Sequence, residues 1–176
     1  MGMLFAVAGC GPGAKAPPPK APPKPPPVLQ QPLTVNTTGG DATIRSNGPA
    51  RAILYHIRWK DAALQVSDNG PFAGTMNGVT GEFYERGAIA CEFSADHASA
   101  NKDEDLLVLT GHARAYSPTQ KATLSCDKLE WHAKEKVVKA FGHIEIAGVY
   151  DLLGLDEVWA KSDLSYLATP AMFKKP

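Results

Sequence analysis

Between Cys91 and Ala147 the apolar residues fall on alternate positions, and the alternation slips by one residue at regular intervals. Phe93 and Ala95 lead up to Asp96, and beyond it Ala98 and Ala100 resume at the second and fourth positions. The same pattern returns 31 residues later, where Leu124 and Cys126 precede Asp127 and Leu129 and Trp131 follow it. Alternation by twos predicts a strand with one buried face. The slip predicts a bulge at each Asp, because the same face stays inward only if an extra residue is absorbed there. A third copy has Leu153 and Leu155 before Asp156, then Val158 and Ala160. A weaker fourth has Ile57 and Trp59 before Lys60, then Ala62 and Leu64.

Strands of the same kind run between these copies. Leu107, Leu109, Ala113 and Ala115 share one parity, as do Val138, Ala140, Ile144 and Ile146. Gly111-His112 returns as Gly142-His143 at the same offset of 31. Upstream, Thr34 to Arg45 and the alternating run Ile53, Tyr55, Ile57, Trp59 predict strands, as do Val79, Gly81 and Phe83. Turn residues at Asn47-Gly48-Pro49, 67–71, 85–87, 101–105, 133–136 and Ser162-Asp163 separate them. Leu164, Tyr166 and Ala168 predict a last strand, ended by Pro170. The pattern is that of an all-β protein of antiparallel repeats, at roughly fifteen residues per strand and turn, stacked around one continuous interior.

Composition divides the chain. Ten of its fifteen prolines lie before residue 34. That splits the 176 residues into an N-terminal segment 1–10, a Pro-rich linker 11–33 and a folded domain 34–176. The linker favours polyproline II and predicts a disordered, semi-rigid tether that reaches roughly 70 Å at about 3.1 Å per residue. Lys and Arg together equal Asp and Glu in number, so the chain carries no electrostatic footprint for nucleic acid. No apolar run approaches the roughly 18 residues of an ordinary transmembrane helix.

Candidate chemistry is sparse. His112 and His143 lie on the parity opposite the apolar residues, where solvent is expected, and no carboxylate or Cys at ligand spacing completes a metal site with them. Asp96, Asp127 and Asp156 are expected to satisfy backbone donors exposed at their bulges. Cys91 and Cys126 both fall on strands, where they serve as small inward hydrophobes or pair in an oxidising compartment. The chain has no Gly-rich phosphate loop, nucleophile elbow or CxxC pair, so the expectation is a non-enzyme without cofactor or metal.

What remains is the apolar face. Ile57, Trp59, Phe83 and Phe93 line its first half. Leu107, Leu109, Leu124, Leu129 and Trp131 line the middle, and Val138, Ile144, Ile146, Leu153, Leu155 and Val158 the last part. Ala95, Ala98, Ala100, Ala113, Ala115 and Ala140 are interspersed and leave room along the middle, which favours an open trough for an apolar ligand.

Two resemblances carry the reading further. Val7-Ala8-Gly9-Cys10 resembles the lipobox of bacterial lipoproteins, which implies acylation of Cys10 as a lipid anchor. The runs Phe93 to Ala98, Leu107 to Ala115, Leu124 to Trp131 and Val137 to Ile146 resemble the LptC/LptA (OstA-like) family of lipopolysaccharide-transport proteins. That family repeats a scheme of small residue and Asp, apolar stretch, turn, then apolar-x-Gly-x-Val. The strand of Trp59 and the strand Val79 to Tyr84 are more similar to LptC, and the likeness spans most of residues 50–170.

The resemblance implies a twisted β-jelly-roll, open along one side, whose interior holds the acyl chains of lipopolysaccharide or a similar glycolipid. It implies partners too: LptA-like jelly-rolls joined edge to edge by strand pairing, and an inner-membrane transporter whose ATPase drives the movement. The implied place is the periplasmic side of the cell envelope, at the inner membrane. LptC has an N-terminal transmembrane helix, and here the lipobox and tether stand in its position. The alternative is an envelope scaffold that assembles through its edge strands without lipid cargo.

Overall fold

Nine antiparallel strands in strict chain order form one sheet in the computed structural model, which describes residues 33–46, 49–66, 73–101, 104–148 and 151–173. The strands are β1 (Leu33–Arg45), β2 (Ile53–Val66), β3 (Ala73–Glu85), β4 (Ala88–Asn101) and β5 (Leu106–Ser117). They continue as β6 (Ala122–His132), β7 (Val137–Ala147), β8 (Leu152–Lys161) and β9 (Leu167–Ala168), followed by the short helix α1 (Pro170–Phe173). The sheet does not close into a barrel, so the fold is an all-β, open jelly-roll of antiparallel repeats. The lipobox with Cys10 and linker residues 11–32 lie outside the described residues.

Each pairing from β4 to β8 is interrupted near its middle, the β7–β8 pairing a second time beside it, and the interruptions line up across the sheet. Ser94 pairs Arg114 and the next pair is His97 with Thr110; Thr110 pairs Lys128 and the next is Ala113 with Cys126. Ser125 pairs Glu145 and the next is Lys128 with Phe141. The left-handed residues that make these bends lie not at the aspartates but on the strand opposite them. Gly111 and His112 have φ of 73° and 47°, and Gly142 and His143 have 71° and 42°. Two consecutive left-handed residues turn a strand sharply. At Gly142 the conformation favours glycine, and an added Cβ would sit 2.5 Å from Asp127 Oδ2.

The bends fold the sheet across its own strands. The C-terminal ends of β3 and β6 lie on opposite sides of an antiparallel sheet, yet the Phe83 and Trp131 rings stack with centroids 4.6 Å apart. Each long strand therefore runs through both layers of a sandwich. The C-terminal ends of β1, β3, β5 and β7 lie along one rim, and those of β2, β4, β6 and β8 along the other. The layers share a single buried cluster from Ile44 to Leu164.

Three expectations are corrected here. Leu153 is 72 % exposed, not inward. Ile144 pairs Leu155 but Glu145 pairs Leu153, so Gly154 (φ 75°) is an extra residue that sends Leu153 outward and Leu152 inward, opposite Ile146. The last strand is only Leu167–Ala168, because Leu164, left-handed at φ 56°, turns back into the core. The alanines leave no open channel along the middle, since Ala98, Ala100, Ala113, Ala115 and Ala140 are all at most 4 % exposed and lie in the same buried cluster as the large residues.

Candidate functional site

Most of the face expected to meet a ligand is instead a packed interior. Ile57, Trp59, Phe83, Phe93, Leu107, Leu109 and Leu124 are buried in one cluster with Leu129, Trp131, Val138, Ile144, Ile146 and Val158. Leu155 is half-buried against it. Over β2 to β6 the rims meet in an aromatic clasp. Trp131 stacks on Phe83, Phe83 stacks on Phe93 at 4.5 Å, and Tyr55 meets Trp131 edge-on at 5.6 Å. Lys136 Nζ on one rim reaches Glu85 Oε1 on the other at 3.5 Å. The indole N–H of Trp131 points at Ser162 Oγ, 3.4 Å away.

Gly81 makes this packing possible. A Cβ there would lie 2.1 Å from the His56 carbonyl oxygen and 2.5 Å from Phe93 Cζ, so the Phe93 ring occupies the space a side chain would need. The Tyr55 hydroxyl is buried with no hydrogen-bond partner among the described residues. Burial, helped by the charge of Asp105, pushes its pKa well above the ordinary value.

At the β8–β9 end the rims stand apart. A cleft of about 480 Å³ opens there, with Gln120, Ala122, Ile146 and Leu152 on one wall and Leu164, Ser165, Tyr166 and Leu167 on the other. Its lining is mainly apolar and, among the described residues, includes no charged side chain. Ile146 and Leu164 belong to the buried cluster, so the cleft is continuous with the core. Tyr166 is held at the mouth by Phe173 of α1, whose ring lies 5.5 Å from that of Tyr166 and 5.9 Å from that of Trp159. Lys139 in turn sits 4.5 Å over the Trp159 ring.

Alternation along the chain identified Ile146 alone among these lining residues. Leu152 was missed because the parity was carried through Gly154, although a glycine inside a strand pattern is itself a sign of a bulge. The alternation of Leu164 and Tyr166 predicts a strand and not a cleft wall, and Gln120 and Ala122 carry no periodic signal.

The outer side of the bend line carries polar pairs. His112 Nδ1 lies 2.7 Å from Asp96 Oδ2, and His143 Nδ1 lies 2.7 Å from Asp127 Oδ2. Asp96 and Asp127 thus hold histidine rings across the bend. A hollow of about 580 Å³ on this side is lined by Arg114, Asp127 and the two histidines among others, so a ligand there would meet charged side chains. Among the described residues no group of three or more His, Cys, Asp or Glu is placed to hold a metal ion. Cys91 and Cys126 are free and buried. Desolvation pushes their thiols up to about 12 and about 11, so neither is a ready nucleophile.

Fold and cleft together define an open, folded β-meander with an apolar opening between its rims at one end. Compared with family models and with curated proteins, the chain matches none.

Proposed function

We propose that this chain is a membrane-tethered, non-catalytic lipid carrier of the LptC/LptA (OstA-like) kind, which takes up acyl chains of lipopolysaccharide or a related glycolipid and passes them to a neighbouring domain. The observation that carries the reading is the apolar cleft between the rims, continuous with the core of a sheet that stays open. The tether in this reading is residues 11–33, anchored through an acylated Cys10 on the periplasmic side of the envelope. Hand-over runs through strand pairing, and β1 at one end of the sheet and Leu152–Asp156 of β8 at the other lack a strand on their outer side among the described residues. Its partners are LptA-like jelly-rolls and an inner-membrane transporter.

A photo-crosslinking residue at Ile146, facing the cleft, is expected to give an adduct with lipopolysaccharide, whereas one at Glu145 on the opposite face gives none. Equal labelling at both positions would sink the carrier reading. Cys10→Ser is expected to move the chain from the membrane pellet to the supernatant, and persistent pelleting would rule out the anchor.

A second reading, an envelope scaffold assembling through its edge strands, is favoured by one observation, the clasp that fills the interior over β2 to β6. It has the same edges but no cargo, so the Ile146 experiment separates the two.

A further inference from the structure

We infer that the cleft at the β8–β9 end is a site for one unbranched acyl chain, with its headgroup left in solvent. The inference rests on the lipid-carrier reading and narrows its ligand from a bundle of chains to one. A volume of about 480 Å³ lies at the lower end of the range for small-ligand sites, which run from about 300 to 1,000 Å³. Burying several chains of one lipid at once needs a trough along the whole sandwich, and over β2 to β6 that space is occupied by the Tyr55, Phe83, Phe93 and Trp131 rings, so a multi-acyl lipid would enter by one chain.

Recognition in this cleft is of hydrocarbon. Ala122, Ile146, Leu152, Leu164 and Leu167 form the apolar walls, while the polar groups of Ser165 and Tyr166 stand on the second rim. Among the described residues no charged side chain lines it, so its walls offer contact to a hydrocarbon chain rather than to a charged head. Exposed apolar side chains are also concentrated in this part of the chain. Of the six large hydrophobics exposed among the described residues, Leu152, Leu153, Tyr166 and Met172 belong to the start of β8 or to the C-terminal segment. Leu152 and Tyr166 line the cleft itself while remaining 50 % and 43 % exposed, which leaves an apolar threshold for a chain to cross.

The test uses the full chain and three photoactivatable probes: a sixteen-carbon fatty acid, a lysophospholipid and lipopolysaccharide. The single-chain probes are expected to label the peptides carrying Leu152 and Tyr166, and which of the two labels more strongly identifies the source of the chain. Leu152→Trp, which fills the mouth, and Leu152→Asp, which charges it, are each expected to cut labelling by at least about tenfold. Leu152 is half exposed, so both variants are expected to melt cooperatively near the parent temperature, which separates loss of the site from loss of the fold. Unchanged labelling in both variants, or single-chain labelling confined to other peptides, overturns the site. Lipopolysaccharide labelling along β5 to β7 with none from the single-chain probes overturns the one-chain assignment and leaves the carrier reading standing. No labelling by any of the three overturns both.

Discussion

His112 and His143 occupy left-handed backbone conformations that residues with a Cβ ordinarily avoid. Each is steadied by a carboxylate on the neighbouring strand, Asp96 or Asp127, and the bond to that carboxylate is the largest cause of a histidine pKa raised above 6.5. A raised folded-state pKa fixes the sign of the linkage. The pairs contribute fully below the unfolded value near 6.5, and the contribution is lost as pH rises through the folded pKa. Because both rings are fully exposed, the effect is local to the bend. Proton NMR titration is expected to place both histidines above the ordinary value, with Asp96→Asn lowering His112 and leaving His143 in place. If both move together, or neither does, the pairing is wrong. The recurrence of Asp and Gly-His at an offset of 31 was legible in the sequence. That they face one another was not, because cross-strand register depends on how the turns set each hairpin.

At the level of the strand, the slip of alternation marked the bends correctly in β4 and β6, where the partner strands carry the left-handed pair. In β8 the slip at Asp156 is matched as well, between Glu157 and Leu155, but a second irregularity against β7 follows at Gly154. Gly154 adds a residue that the one-slip pattern does not count, and everything N-terminal to it changes face. The consequence is measurable in denaturant. Leu153→Ala is expected to change stability by no more than about 0.5 kcal/mol, as for an exposed site. Leu155→Ala is expected to cost about 1 to 2 kcal/mol, the share of a half-buried leucine. A larger loss at Leu153 than at Leu155 would mean that β8 pairs in the uncorrected register.

For the whole molecule, closure of the rims decides what the interior can hold. The clasp brings Tyr55 from one rim against Trp131 from the other and strands its hydroxyl without a partner among the described residues. An unsatisfied buried hydroxyl costs about 1 to 3 kcal/mol. Tyr55→Phe keeps the ring contacts and removes that cost, so it is expected to raise the unfolding free energy by about 1 kcal/mol. A loss of that size would show that the hydroxyl is bonded. Tyr55 also sits where a longer trough would have to open, so the substitution is expected to strengthen the clasp and leave the β8–β9 cleft unaltered.

Alternation along the chain was enough to read the class of the fold, the order of the strands, the level at which they bend and most of the core residues. All of these follow from a two-residue period and its slips, which are local properties of a chain with one face in water. Only the tertiary structure decided whether the core stayed open. Facing side chains come from strands far apart in the chain, and alternation says which way a side chain points but not what stands opposite it. Thus the alanines read as room are covered, the aromatics read as a lining close on one another, and the opening that remains lies between Leu152 and Leu167, where two rims brought together by folding fail to meet.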